Sequence, residues 1–187
     1  MVFIHPNWQA KHNEFSYKLG VIESKTDKQS NCQMKSKKEE STLSKEDISK
    51  GTSKGIEKYK NLSFMERYAM YMGVAQILEL GLKYLLVDKF EYDIDKTEKW
   101  TMGKTYRELE KNKLRPDFLH ILKNTVDNRN YIAHEILANK LLFHEILGDK
   151  IPDNHYDKES RRLDKFIIEL EQLVFLFEWT NSNNGWN

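Results

Sequence analysis

Arg129, Asn130 and His134 bring a guanidinium, a carboxamide and an imidazole together within the stretch Arg129-Asn130-Tyr131-Ile132-Ala133-His134-Glu135. Such a set can hold an anionic group and move a proton beside it. An imidazole titrates near neutrality, so it can take a proton from one oxygen or give one to another. A guanidinium keeps its charge and presents paired N–H donors to a phosphate. A carboxamide can orient either partner. Lys123, six positions before Arg129, adds a second cation, and Tyr131 offers a ring on which a base can stack.

The element that must position these groups reads as a helix that begins near Pro116 and runs through DFLHILKNTVDNRNYIAHEIL. Counted at roughly 100° per residue from Phe118, its apolar stripe takes in Leu122, Thr125, Ile132, Ala133 and Ile136, and Arg129 falls inside that stripe at about 20°. A permanent charge there needs an internal partner, a water-filled cleft or an anionic ligand. The plain alternative is a snorkelling side chain, or half of an ion pair with an acid of a neighbouring helix. Asn130 and His134 lie at about 120° and 160°, four residues apart on another face. One straight helix therefore splays Arg129 and His134 by about 140°. Three arrangements close the gap: a break near Tyr131, a long Arg side chain swinging round the helix, or a second copy of the motif across a dimer interface.

Other helices follow from apolar spacing. Tyr68, Met72, Ala75, Leu78, Leu82 and Leu85 recur at intervals of three and four, with Ser63 and Glu66 spaced as a capping box. TMGKTYRELEKNKL predicts a shorter helix capped by Thr101. GDKIPDN breaks the pattern. After Asn154, Leu163, Phe166, Ile167, Leu170, Leu173, Val174 and Phe177 form one seam. No window alternates with period two, so the expected fold is an all-α bundle of four to five helices. HEIL occurs twice, at His134 and His144, without a longer repeat.

Composition sets the frame. The 187 residues suggest one domain. Lys plus Arg number 30 against 29 Asp plus Glu, so a formal charge of +1 gives no overall pull toward nucleic acid or an anionic membrane. Residues 23–60 hold ten Lys, seven acids and seven Ser with few apolar side chains, which predicts a mobile linker. Residues 1–60 are thus expected to be an N-terminal extension, residues 61–180 the helical domain, and residues 181–187 a polar, frayed tail. Within residues 61–187, 18 basic residues face 21 acids, a slightly acidic core. The lone Cys32 permits no internal disulfide and no Cys-based zinc site, which suits a reducing cytoplasm. Pro6 interrupts any apolar leader, and no stretch is expected to span a membrane. Glu-x-x-His pairs of the metal-carboxylate bundles are lacking: Asp117 before His120 is the nearest approach, so no metal or other cofactor is expected.

Arg129-Asn130, then Tyr131, Ile132, Ala133 and His134, resembles the signature of the HEPN superfamily (higher eukaryotes and prokaryotes nucleotide-binding), in which Arg, a polar residue and, four to six positions on, His mark the active site. The order of elements over residues 61–180 is similar as well: a long first helix, a short one, an apolar helix leading into the motif, and a closing helix. The resemblance implies a dimer with two motifs in one cleft, and a metal-independent endoribonuclease acting as a toxin or antiviral effector. His134 would move protons at the RNA 2′-hydroxyl or the 5′-oxygen. Arg129 would bind the scissile phosphate and Asn130 would orient one of them, with Lys123 and Tyr131 along the RNA. Expected partners are RNA, a second copy of the chain, and an antitoxin or defence-system protein. Where HEPN toxins neutralised by nucleotidyltransferases often carry an acceptor Tyr, two residues after the His, this chain has Ile136. The alternative reading is a non-catalytic HEPN-like module that binds a nucleotide or a protein, with Arg129 as an anion anchor. A coiled-coil adaptor using the last helix is a third.

Overall fold

The computed structural model describes residues 43–138 and 153–186, which are all-α, with no strand among them. Six α-helices follow in order: α1 (Lys45–Ile56), α2 (Phe64–Phe90), α3 (Ile94–Glu98), α4 (Met102–Lys111), α5 (Pro116–Tyr131) and α6 (Asp153–Ser182). A 3-10 turn, Glu57–Tyr59, extends α1, and a π-helical turn, Ile132–Ile136, extends α5.

Local chemistry sets the helix ends. Ser63 and Glu66 form the expected reciprocal box, with the Ser63 amide donating to the Glu66 carboxylate at 2.7 Å. Thr101 caps α4, and Pro116 opens α5 where its missing N–H costs nothing. Glu91 closes α2 in the left-handed region at φ 57°. The short α3 was not foreseen; Asp93 caps it and Thr97 is buried beneath it.

The long elements bury the stripes that their spacing marks. Leu78 and Leu82 of α2, Phe118 and Leu122 of α5, and Leu163 and Leu170 of α6 are all fully buried or nearly so. Helix α6 is the hub, packing on α1, α2 and α5. Its seam is core: of the seven predicted positions only Phe166 is left half-buried.

Three expectations are corrected. The linker does not extend through residues 45–60, because α1 occupies them and docks on α6. Its charged side chains Lys45, Glu46, Asp47, Lys50 and Lys54 are exposed, and the contact is made by small residues. A Cβ on Gly51 would stand 2.1 Å from the Phe175 ring, and one on Gly55 would stand 2.4 Å from the Glu171 carboxylate. The backbone of α1 lies against α6, so a count of apolar side chains missed it. Residues 1–42 and 139–152, with Cys32, His144 and most of the GDKIPDN break, lie outside the described residues.

The tail is also folded at its end. Trp186 is 4 % exposed and meets the Phe118 ring edge-on at 5.0 Å and Phe177 at 5.5 Å. Arg115 donates to the Gly185 carbonyl at 3.2 Å. One aromatic ring seated in the core outweighs the polar run before it. Finally, α2 contains an 18-residue window of mean hydropathy 1.3, long and apolar enough by itself to cross a membrane, where no such stretch was expected. Some 44 % of that window is buried within the chain.

Candidate functional site

The candidate site lies where the C-terminal end of α5 meets α2 and the first half of α6. Three buttresses hold it. Asn128 donates to the Glu169 carboxylate at 2.6 Å. The Tyr131 hydroxyl donates to Glu159 at 3.0 Å and accepts from the Arg162 guanidinium, which also lies over the Tyr131 ring at 4.7 Å. Arg67 of α2 pairs with Asp164 and donates to Ser160 at 2.8 Å. Sequence reasoning missed these α6 partners, since nothing in the spacing of Glu159, Ser160, Arg162, Asp164 or Glu169 shows which helix they will face.

Arg129 is half-buried in this polar layer. Among the described residues it makes no hydrogen bond or ion pair. Its charge is felt by Tyr71 of α2, whose side chain is fully buried and whose hydroxyl finds no hydrogen-bond partner among the described residues. Burial, together with the Glu169 carboxylate, drives the Tyr71 phenol far above its usual range, and Arg129 is the opposing influence. Of the two plain explanations for a cation on an apolar stripe, no ion pair is found among the described residues, and half-burial is what a snorkelling side chain also shows.

The π turn changes how Arg129 and His134 relate. An i→i+5 turn is wider than an α turn, so each residue in it advances by less than 100° around the axis. The splay across five residues thus falls below the 140° of a straight α-helix. Of the three arrangements that would close the gap, an interruption directly after Tyr131 is seen in the fold. Ile132 and Ile136, one at each end of the turn, are both buried, which anchors it.

Asn130, His134 and Lys123 are exposed, and their helical phases put them on the solvent side of α5 and its extension. Tyr131 is different. Burial and its bond to Glu159 raise its pKa, and Arg162 covers one face of its ring while Phe166 meets it edge-on at 6.1 Å. It pins α5 to α6 and is not a free platform for a base. Ile136, at the position where an acceptor Tyr would stand, is 1 % exposed. A hydroxyl at that position would be sealed in the core.

Among the described residues no three His, Cys, Asp or Glu side chains cluster as metal ligands would. Comparison with family models, with curated proteins and with solved structures finds no match to this chain.

Proposed function

We propose that this chain is a metal-independent endoribonuclease built on a HEPN-type helical bundle, with His134 and Arg129 as its catalytic pair and Asn130 as the orienting group. It acts in a reducing cytoplasm, as a toxin or a defence effector held in check by a partner protein. The observation that carries the reading is a half-buried Arg129 with no hydrogen-bond or ion-pair partner among the described residues, one π turn from an exposed imidazole.

The RNA 2′-hydroxyl gives its proton to His134 and attacks the adjacent phosphorus. The P–O5′ bond breaks, the protonated His134 returns that proton to the departing 5′-oxygen, and a 2′,3′-cyclic phosphate remains. Arg129 offers two N–H donors to the equatorial oxygens, where negative charge builds up in the transition state. The neighbouring hydroxyl is already held beside the phosphorus, which supplies the nucleophile without a bound water. Lys123, on the same solvent face as Asn130 and His134, attracts the RNA backbone.

The test is cleavage of a mixed-sequence RNA by purified protein, with the products analysed for cyclic phosphate. His134→Ala is expected to lose roughly 10³-fold in rate, within the range for a general acid–base group. Arg129→Lys, which keeps the charge but not the fork, is expected to lose on the order of 10²-fold. Full activity in His134→Ala rejects the mechanism.

One observation favours the second reading, a non-catalytic nucleotide- or protein-binding module. Arg67 and Arg162, the other two arginines of the layer, are already matched to Asp164 and Glu159. One arginine of the layer left unmatched among the described residues suits one anionic group better than a length of RNA. In that case Arg129→Ala abolishes binding while His134→Ala changes nothing.

A further inference from the structure

Helix α2 carries two buried polar atoms with no hydrogen-bond partner among the described residues, Arg67 Nε and the Tyr71 hydroxyl, one turn apart. The far end of Arg67 is engaged by Asp164 and Ser160 of α6. Tyr71 has nothing comparable: its side chain is fully buried and its one polar atom is unmatched. A hydroxyl in that state loses its water without gaining a bond, a cost that Phe, the same shape without the oxygen, would remove. Its place in the bundle gives a reason to keep it.

Register brings Tyr71 and Arg129 to one level. Arg67 bonds to α6 at Ser160 and Asp164, and one turn later Tyr71 feels the charge of Glu169, so α2 and α6 run in the same direction. On α5, Asn128 bonds to Glu169 and Tyr131 to Glu159, so α5 runs the other way. Arg129 lies between those two bonds, opposite the same stretch of α6 as Tyr71. Both residues fall on the core-facing stripes of their helices, and the Arg129 charge is felt at the phenol. They are neighbours in the polar layer without a hydrogen bond between them.

We propose that Tyr71 is a positioning residue for Arg129: its oxygen accepts an inward N–H of the guanidinium when the outward N–H pair takes up an anionic group such as a phosphate. A guanidinium carries more N–H donors than one phosphate uses, and it has no acceptor of its own. The bound anion turns the inner edge away from water, so that edge then needs an acceptor. A neutral phenol oxygen supplies one without cancelling the charge that holds the anion. Glu169, the carboxylate at that level, is engaged by Asn128. The hydroxyl is thus idle in the free chain and used in the bound one, so it contributes to binding and not to folding. The inference rests on what both functional readings share, that Arg129 takes an anionic group.

The test compares melting of the full chain and its variants in inorganic phosphate and in chloride of equal ionic strength. Phosphate is expected to raise the melting temperature of the unaltered chain but not that of Arg129→Ala. Tyr71→Phe should melt in chloride no lower than the unaltered chain, and bind phosphate about tenfold more weakly, the scale of one hydrogen bond to a charged group. In an Arg129→Ala background Tyr71→Phe should change binding no further. A Tyr71→Phe chain that melts lower in chloride and binds phosphate as the parent does has lost a bond to buried water, and overturns the proposal. So does an unaltered chain that phosphate does not protect, or protection that survives Arg129→Ala. RNA cleavage separates this outcome from the catalytic reading. Where RNA is cleaved, Tyr71→Phe should lose about tenfold in kcat/KM and keep the shape of its pH profile, since His134 is untouched. Cleavage that needs His134, with both cleavage and phosphate binding unchanged in Tyr71→Phe, overturns the role of Tyr71 and leaves the nuclease standing. A chain that cleaves no RNA, yet loses phosphate affinity in Tyr71→Phe only when Arg129 is present, rejects the nuclease and upholds the role.

Discussion

A single buried acid shows how one residue couples this fold to pH. Glu171 is 2 % exposed and is held by the Tyr59 hydroxyl at 2.8 Å and the Lys58 ammonium at 2.9 Å. Glu178, two turns further along α6, has a carboxyl oxygen with no hydrogen-bond partner among the described residues. Burial pushes the Glu178 carboxyl up to about 7, with Lys58 opposing and the Glu171 charge adding to the rise. Between its ordinary value of 4.5 and about 7, the folded chain therefore keeps a proton that the unfolded chain releases. Stability from this group is full below the lower value and falls as pH rises through the window, by on the order of 2–3 kcal/mol. Urea midpoints at pH 5 and pH 8 are expected to differ in that direction. Glu178→Gln should flatten the difference and leave the chain more stable at pH 8.

At the scale of elements, two local irregularities matter more than the regular helices. The first is the π turn. Removing Ala133 takes one residue from a turn that holds one extra, and should return Ile132–Ile136 to α geometry. Ile132 and Ile136 would then sit three apart and still share a face, so the expected loss of stability is about 1 kcal/mol or less. Deleting Ala133 also leaves His134 four residues after Arg129, about 40° away round an α-helix and closer in phase than across the π turn. Cleavage by a pair set in place by the π turn should drop on the order of 10²-fold, the scale of a misplaced group, while circular dichroism stays unchanged. If the deletion variant retains full activity, the turn has no part in the site. The second irregularity is the close approach of α1 to α6 over Gly51 and Gly55. Gly51→Leu would drive a side chain into the Phe175 ring. Overpacking of that kind costs about 1–3 kcal/mol, less up to about 1 kcal/mol regained from better helix propensity. Amide exchange should accelerate in α1 first, since the inserted side chain acts directly on that helix.

Over the whole molecule, the chain closes on itself at its end. Trp186 packs on Phe118 at the start of α5 and on Phe177 of α6, and so ties the last residues to the helix that carries the candidate site. Trp186→Ala is expected to cost about 3 kcal/mol, at the lower end for a buried aromatic ring. Calorimetry should show this as a melting temperature several degrees lower. An unchanged melting temperature would return residues 183–186 to the status of a loose end.

Much was readable from residue order alone. The apolar intervals of α2, α5 and α6, the Ser63–Glu66 box, the Thr101 cap and Pro116 are local features. Each depends on neighbours within about one turn, so the sequence by itself determined an all-α chain with its main helices in place. It also determined that Arg129 falls among apolar neighbours, because helical phase needs no tertiary information. Tertiary structure decided the rest. Whether Arg129 finds a counter-ion depends on α6, where Glu159 and Asp164 are taken by Arg162 and Arg67. That Tyr131 is pinned, that α1 docks through glycines, and that Trp186 is buried are outcomes of contact between segments far apart in the chain. The interruption after Tyr131 has no local signal, since Ile, Ala, His and Glu all accept an ordinary α-helix. It lies where Ile132 and Ile136 are both buried against the rest of the fold, so contacts with distant segments, and not the residues within one turn, set it.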